Sequence, residues 1–224
     1  MTALCHLLGD WRGTLPTDGA MIERKWDGWR CLRFHGIDEK PHLFTRQGQP
    51  IHGCDHIARR LAAIEEVAGE KLFIDGELVV DGTLAATKAW AEGGWRRGGE
   101  RGVFHAFDAM PYREWQAGGS DTPLIERKAW LKELLEASEP EDDGWTWAPG
   151  SRGALTPTAV QLVTDEWAFT ESDVVDMVRR VWAEDGEGVV IKRAESPYRR
   201  SRTDAWLKVK AENMHKWARR PIAA

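Results

Sequence analysis

Glu23-Arg24-Lys25-Trp26-Asp27-Gly28-Trp29-Arg30 is a run of the form Lys-x-Asp-Gly-x-Arg. From residue 21 to residue 34 the pattern of apolar and polar residues suits two strands broken at Asp27-Gly28. Within the run, one lysine is followed by a carboxylate two residues on, then by a glycine and an arginine. A lysine amine, held deprotonated and aimed in line, can attack the α-phosphorus of a nucleoside triphosphate. A glycine lets backbone approach a nucleotide closely, and an arginine offers a donor fork to sugar or phosphate. Taken alone, the hexapeptide has a plainer reading as a strand edge with a turn.

Working outward, residues 1–20 read as an irregular entry segment. Leu43-Phe44-Thr45 suits a strand that turns at Gly48. Asp55 suits an N-cap for a helix over residues 56–67, with Ile57, Leu61 and Ile64 on one face. Residues 71–80 read as a strand ending in Asp81-Gly82, a hairpin signal. Residues 92–102 are glycine-rich and basic, which suits a loop, and 102–109 suits another strand. Residues 123–137 suit a helix opening near a proline. Residues 139–143 suit an exposed acidic loop, and 160–163 a strand. Thr170-Glu171-Ser172-Asp173 has the form of a capping box, ahead of a helix to about residue 182 with Val174, Val178 and Val181 inward. Residues 189–192 and 205–209 complete the strands. Strands and helices without strict alternation predict an α+β fold.

Composition sets the bounds. A chain of 224 residues holds one sizeable core or two small ones. No apolar run approaches membrane-spanning length. Three cysteines, odd in number and without metal-finger spacing, favour a reducing cytosol, so a cytoplasmic location is expected. The net charge of −5 is distributed unevenly. Between Lys192 and Arg220, ten Lys or Arg stand against three acids, a pattern that suits contact with a phosphate backbone, or simply a solvated basic face. Thirteen tryptophans are expected to sit mostly in or beside the core. His52, Cys54, Asp55 and His56 could all ligate zinc, but their spacing matches no strong motif.

The remaining motifs fall into one order. Thr45-Arg46-Gln47-Gly48, Phe73-Ile74-Asp75-Gly76-Glu77-Leu78-Val79, Phe104-His105-Ala106-Phe107-Asp108, Glu187-Gly188-Val189-Val190-Ile191-Lys192 and Trp206-Leu207-Lys208-Val209-Lys210 come after the opening run. Together they resemble the adenylation (nucleotidyltransferase) domain of ATP-dependent DNA ligases, within the superfamily that also holds RNA ligases and mRNA capping enzymes. The resemblance covers about residues 21 to 211. It implies an ATP-grasp-like α+β fold of two antiparallel sheets with flanking helices, and a nucleotide held in the cleft between them. The lead Ser196-Pro197-Tyr198 into the last motif is especially similar to DNA ligases.

The resemblance also implies roles. Lys25 is the nucleophile that takes AMP from ATP, with Asp27 orienting it or assisting a DNA 3′-hydroxyl. Lys208 and Lys210 alternate around Val209, so on a strand they share one face. They are expected to grip the α-phosphate and, as cations near Lys25, to depress its pKa. Glu77, near the ribose and the metal, and Glu187, at the metal, are expected to bind ATP and to be the ligands of Mg²⁺, or of Mn²⁺ in its place. Glu23 corresponds to a position that reads the adenine amino group. Arg30 corresponds to a ribose contact, Phe107 to an aromatic stacking on adenine, and Arg46 to an arginine gripping the 5′-phosphate of a nick.

Where family members continue into an OB-fold, fourteen residues come after Lys210 here, and 24 precede Lys25. The expectation is a single adenylation domain over residues 1–224, without an OB-fold or an N-terminal DNA-binding domain. It would act on nicked double-stranded DNA, with an OB-fold supplied by a partner and no role at a membrane. An RNA ligase and a nucleotide- or DNA-binding module without turnover are the competing readings. A capping guanylyltransferase fits less well.

Overall fold

The computed structural model describes residues 3–93, 100–139 and 159–216, with side chains to 213. In chain order the strands and helices are β1 (Leu7–Asp10), β2 (Ala20–Lys25), β3 (Trp29–His35), β4 (Pro41–Thr45), β5 (Pro50–Ile51), α1 (Asp55–Ala68), β6 (Leu72–Val80), α2 (Leu84–Glu92), β7 (Gly102–Pro111), α3 (Tyr112–Gln116), β8 (Gly119–Ser120), α4 (Leu124–Ala137), β9 (Val160–Leu162), β10 (Asp165–Ala168), α5 (Glu171–Ala183), β11 (Gly188–Lys192), β12 (Tyr198–Arg199) and β13 (Arg202–Lys210). A 3-10 turn over Ala211–Lys216 comes last. The chain divides into two compact units. One comprises Met1–Asp27, Glu114–Arg127 and Val163–Ala224, the other Gly28–Arg113 and Lys128–Leu162. The α+β expectation holds.

The first unit is built on a five-stranded sheet in the order β1-β13-β11-β2-β10. Helix α5 covers one face of it. Thr170 caps that helix as the sequence predicts: the Asp173 N–H donates to Thr170 Oγ1 (3.2 Å), and the Thr170 N–H donates to Asp173 Oδ2 (2.8 Å). Val174, Met177, Val178 and Val181 recur at helical spacing and are buried against Ile22, Val189, Ile191 and Val209. Residues 1–20 are not wholly irregular. Strand β1 pairs parallel with β13, with Asp10 opposite Lys208.

The second unit is built on a six-stranded sheet in the order β5-β4-β3-β6-β7-β9. Its pairs are antiparallel except at the β9 edge, which runs parallel to β7. Each large sheet therefore carries one parallel edge pair in an otherwise antiparallel arrangement. Helix α1 begins at Asp55, with Cys54 as its N-cap and no side-chain capping bond. Asp55 is thus the first helical residue rather than the cap, and its charge still favours the helix N-terminus. Ile57, Leu61 and Ile64 are fully buried, as their spacing requires. The turn at Asp81-Gly82 forms, with φ of 48° and 73°. It leads into α2 rather than directly into a returning strand. Thr83 caps α2, accepting from the Ala86 N–H at 3.1 Å, and the alanine-rich run after it has high helix propensity. Most of the loop expected at 92–102, and of the acidic loop at 139–143, lies outside the described residues.

Two polar clusters tie elements of this unit together. Arg60 donates to the Ser138 carbonyl (2.8 Å) and the Leu135 carbonyl (2.9 Å), satisfying the C-terminal end of α4. Glu65 accepts from Arg33, from His35 Nε2 and from the Leu72 N–H (2.7 Å). Burial alone would raise the Glu65 pKa, but these donors outweigh it and hold the carboxyl at about 2. A carboxyl depressed in the folded state adds stability above its unfolded pKa and loses it as pH falls through the folded value. Stability should therefore decline between about pH 5 and pH 2. Glu65→Gln should cost on the order of 2 kcal/mol at neutral pH and flatten that decline. Urea denaturation at stepped pH measures both; an unchanged acid limb would remove Glu65 as its source.

Candidate active site

Strand β11 lies between β2 and β13, and its register fixes what shares a face. Gly188 is opposite Lys25 on one side and Lys210 on the other. Two residues along, Val190 is opposite Glu23 and Lys208. Two further on, Lys192 is opposite Met21 and Trp206. Because strand side chains alternate with a period of two, all of these lie on one face. The residues between them, among them Ile22, Val189, Ile191 and Val209, lie on the other face, in the cluster with α5. Alternation thus separates an apolar face from a charged one.

On the charged face, Glu187 joins two lysines. One carboxylate oxygen takes the Lys25 ammonium and the other takes the Lys210 ammonium. Burial works against the Lys210 charge, but the bond to Glu187 outweighs it and, with Glu212, raises the Lys210 pKa above the ordinary lysine value. Lys208 is paired with Asp10 at 3.6 Å. The sequence places Lys208 and Lys210 as cations near Lys25; the structure adds acids among them. Lys25 is in contact with a carboxylate, and each of the other two lysines also has one. Cations gathered on one sheet face repel unless acids lie among them. Glu187 is held in turn by its backbone, whose carbonyl accepts from Trp182 Nε1 at 3.3 Å. Gly188 has φ of 150°, and a Cβ there would overlap the Val209 carbonyl oxygen.

Glu23 is 2% exposed and its carboxylate lies 2.5 Å from Lys192 Nζ, itself 2% exposed. Lys192 Nζ sits 4.1 Å from the centroid of the Trp206 ring, a cation–π contact, and His6 stacks on the same ring at 4.4 Å. Sequence reasoning gave Lys192 no role. Its signal was a lysine ending the apolar run Val189-Val190-Ile191, where a buried charge needs a partner. Asp27 is partly buried just beyond β2.

In the second unit, Arg30 makes a two-pronged bond to Asp75, with both distances 2.6 Å, and Asp75 is fully buried. The Arg30 guanidinium also lies over the Phe107 ring at 4.6 Å. Phe107 owes its placement to a β-bulge. Asp75 pairs with Asp108 and Gly76 with Ala106, so Phe107 is the extra residue. Glu77 lies opposite Arg30 on β3 and His105 on β7. Arg46 is exposed at the turn between β4 and β5, which closes with a Gly48 N–H to Thr45 carbonyl bond of 2.8 Å.

Gly28, at the centre of the opening run, has a local structural reason. A Cβ there would overlap the Leu78 carbonyl oxygen and lie 2.7 Å from Val79 Cγ2 on β6. Close packing on β6, rather than approach to a nucleotide alone, requires this glycine. His56 is held by the Gly102 carbonyl at 2.8 Å, and burial pushes the Cys54 thiol up to about 12. No group of three or more metal-ligating side chains occurs among the described residues. No helix among them is long and apolar enough to cross a membrane.

The basic stretch near the C-terminus is largely engaged within the fold. Arg193 pairs with Asp204 at 3.3 Å and Arg199 with Asp121. Arg200 donates to the Ala3 carbonyl at 3.1 Å, and Arg202 donates to the Leu8 carbonyl. With Lys192, Lys208 and Lys210 paired as above, each cation described in this stretch up to Lys210 has a partner within the fold.

A family model described as the ATP dependent DNA ligase domain matches residues 13–210. A protein named "Probable DNA ligase" from Streptomyces avermitilis is 27% identical over 217 residues, covering 92% of this chain and 38% of that protein. "DNA ligase 4" of Yarrowia lipolytica is also 27% identical, covering 86% of this chain and 21% of its own length. The chain thus spans well under half the length of these curated relatives. Among solved structures, the ATP-dependent DNA ligase from bacteriophage T7 in complex with ATP has a TM-score of 0.69 at 15% identity, covering 93% of this chain and 68% of that one.

The glycine packing gives a direct test. Gly28→Ala should destabilise the protein by about 1–3 kcal/mol through overpacking against β6. Chemical denaturation reads this, and a change under about 0.5 kcal/mol would mean that β6 yields without cost.

Proposed function

The chain belongs to the ATP-dependent DNA ligase domain family, and on that footing we propose that it is the adenylating core of a DNA ligase. Lys25 Nζ attacks the α-phosphorus of ATP, losing a proton as the N–P bond forms and pyrophosphate leaves. AMP then passes to the 5′-phosphate of a nick. The 3′-hydroxyl displaces AMP and the phosphodiester bond closes. The observation that carries this reading is the row Lys25–Gly188–Lys210, with Glu187 bridging its two lysines. A nucleophilic amine with a second and a third lysine on the same sheet face suits an attack that builds negative charge on phosphate oxygens.

Lys208 and Lys210 take that charge, and Asp27 orients Lys25 or assists the 3′-hydroxyl. Arg30 reaches the ribose, with buried Asp75 fixing its guanidinium. Phe107 stacks on adenine, and Glu23 reads the adenine amino group from its place beside Lys192. Exposed Arg46 suits the 5′-phosphate of a nick, because a guanidinium fork matches phosphate oxygens. Mg²⁺, or Mn²⁺, fits the donor chemistry. Mg²⁺ typically takes one or two carboxylates, with waters and substrate phosphates completing its shell. Glu187 already presents both oxygens to cationic groups, and Glu77 is the second carboxylate. The metal, when bound, would offset negative charge on the phosphates. The partners are ATP and nicked duplex DNA.

Sealing of a labelled nicked duplex with ATP and Mg²⁺, read on a denaturing gel, tests the proposal. We expect a sealed product that disappears with Lys25→Ala and with a chelator. Lys25 labelling without sealing would restrict this chain to adenylation, with an OB-fold-supplying partner completing the reaction. DNA binding unchanged by Lys25→Ala, with no labelling, would replace the proposal with a binding module. Preference for an RNA nick would favour the RNA ligase reading.

A further inference from the structure

Lys208 is paired with Asp10, which Asn213 holds in turn, and both of those residues lie outside the segment matching the family. Asp10, at the end of β1, precedes residue 13, and Asn213, in the 3-10 turn after β13, lies beyond residue 210. Asp10 is directly opposite Lys208 in the parallel β1–β13 pair, and the Trp11 N–H donates to the Lys208 carbonyl at 3.2 Å. The Asp10 carboxylate lies 3.6 Å from Lys208 Nζ. The same oxygen, Oδ1, accepts from Asn213 Nδ2 at 3.0 Å, and Asn213 is 8% exposed. The amide therefore fixes the carboxylate, and the carboxylate restrains the ammonium.

From this geometry we propose that Asp10 is a positioning residue for Lys208. A lysine stem has many rotamers to lose when its ammonium is fixed. A cation meant to meet phosphate oxygens is more effective when that freedom is already reduced. Lys25 and Lys210 share Glu187, one strand from each, whereas Lys208 has no share in that carboxylate. Asp10 supplies from β1 what Glu187 supplies to the other two. An irregularity in the β1–β13 register between Leu7 and Gly9 brings Asp10 level with Lys208. The proposal rests on the reading of Lys208 as a phosphate-binding lysine.

The experiment is calorimetric titration of the whole chain with Mg²⁺-ATP and, separately, with adenosine. Lys208 acts on phosphate, so Asp10→Ala should weaken ATP binding about three- to tenfold and leave adenosine within about twofold. Asp10→Glu should retain ATP affinity. In a Lys208→Met background, Asp10→Ala should have no further effect, since both changes remove one interaction. Asp10→Asn keeps the side-chain shape, serves where Asp10→Ala does not fold, and should move ATP affinity in the same direction. Unchanged or tighter ATP binding in Asp10→Ala would overturn the proposal. So would equal loss of both ligands, or a full additive loss in the Lys208→Met background. A wild-type chain that binds neither ligand would instead overturn the functional reading, and this inference with it.

Discussion

The register of β11 between β2 and β13 governs the charged face of the five-stranded sheet. With Gly188 opposite both Lys25 and Lys210, every second residue on three strands falls on that face. A slip of one residue would carry the lysines into the apolar cluster under α5 and turn Ile22, Val189 and Val209 outward. The cost of burying unpaired lysines makes that alternative untenable. The hydrophobic effect on one face thus sets the positions of the charges on the other. Gly188 adds a local constraint, since its backbone conformation and its approach to the Val209 carbonyl leave no room for a side chain.

The lysines are not left as isolated cations. Glu187 serves Lys25 and Lys210, Asp10 serves Lys208, and Glu23 serves the buried Lys192. Such pairing lets several ammonium groups gather on one face without strong mutual repulsion. In the second unit the same logic holds Arg30 against buried Asp75 while leaving its plane over Phe107. A β-bulge, rather than regular alternation, sets Phe107 apart from its neighbours.

Charge count and charge availability differ in this protein. Arg199, Arg200 and Arg202 tie β12, β13 and the chain near its start together through carbonyl and carboxylate bonds. These guanidinium groups satisfy backbone carbonyls, a role that does not register in a sum of charges. Arg46, by contrast, stands exposed at a hairpin turn. Partners within the fold, not local density of basic residues, mark a structural arginine.

By itself the sequence determined the α+β class and most of the helices and strands longer than four residues. It also determined the capping box at Thr170 and the shared face of Lys208 and Lys210. These are local matters, set by side-chain period and by caps that act within a turn. The short β1 and β10 and the alanine-rich α2 went unread. Two- to four-residue strands carry too little periodicity, and the Asp81-Gly82 signal marks a turn without specifying whether a strand or a helix comes next. Only the tertiary structure decided which carboxylate meets which lysine. Asp10 and Lys208 lie far apart in sequence, as do Glu23 and Lys192, or Lys25 and Glu187. Their pairing depends on strand order and register, which long-range packing selects. The role of Gly28 was likewise invisible until β6 was seen against it, because a close backbone approach leaves no trace in the residues on either side of the glycine.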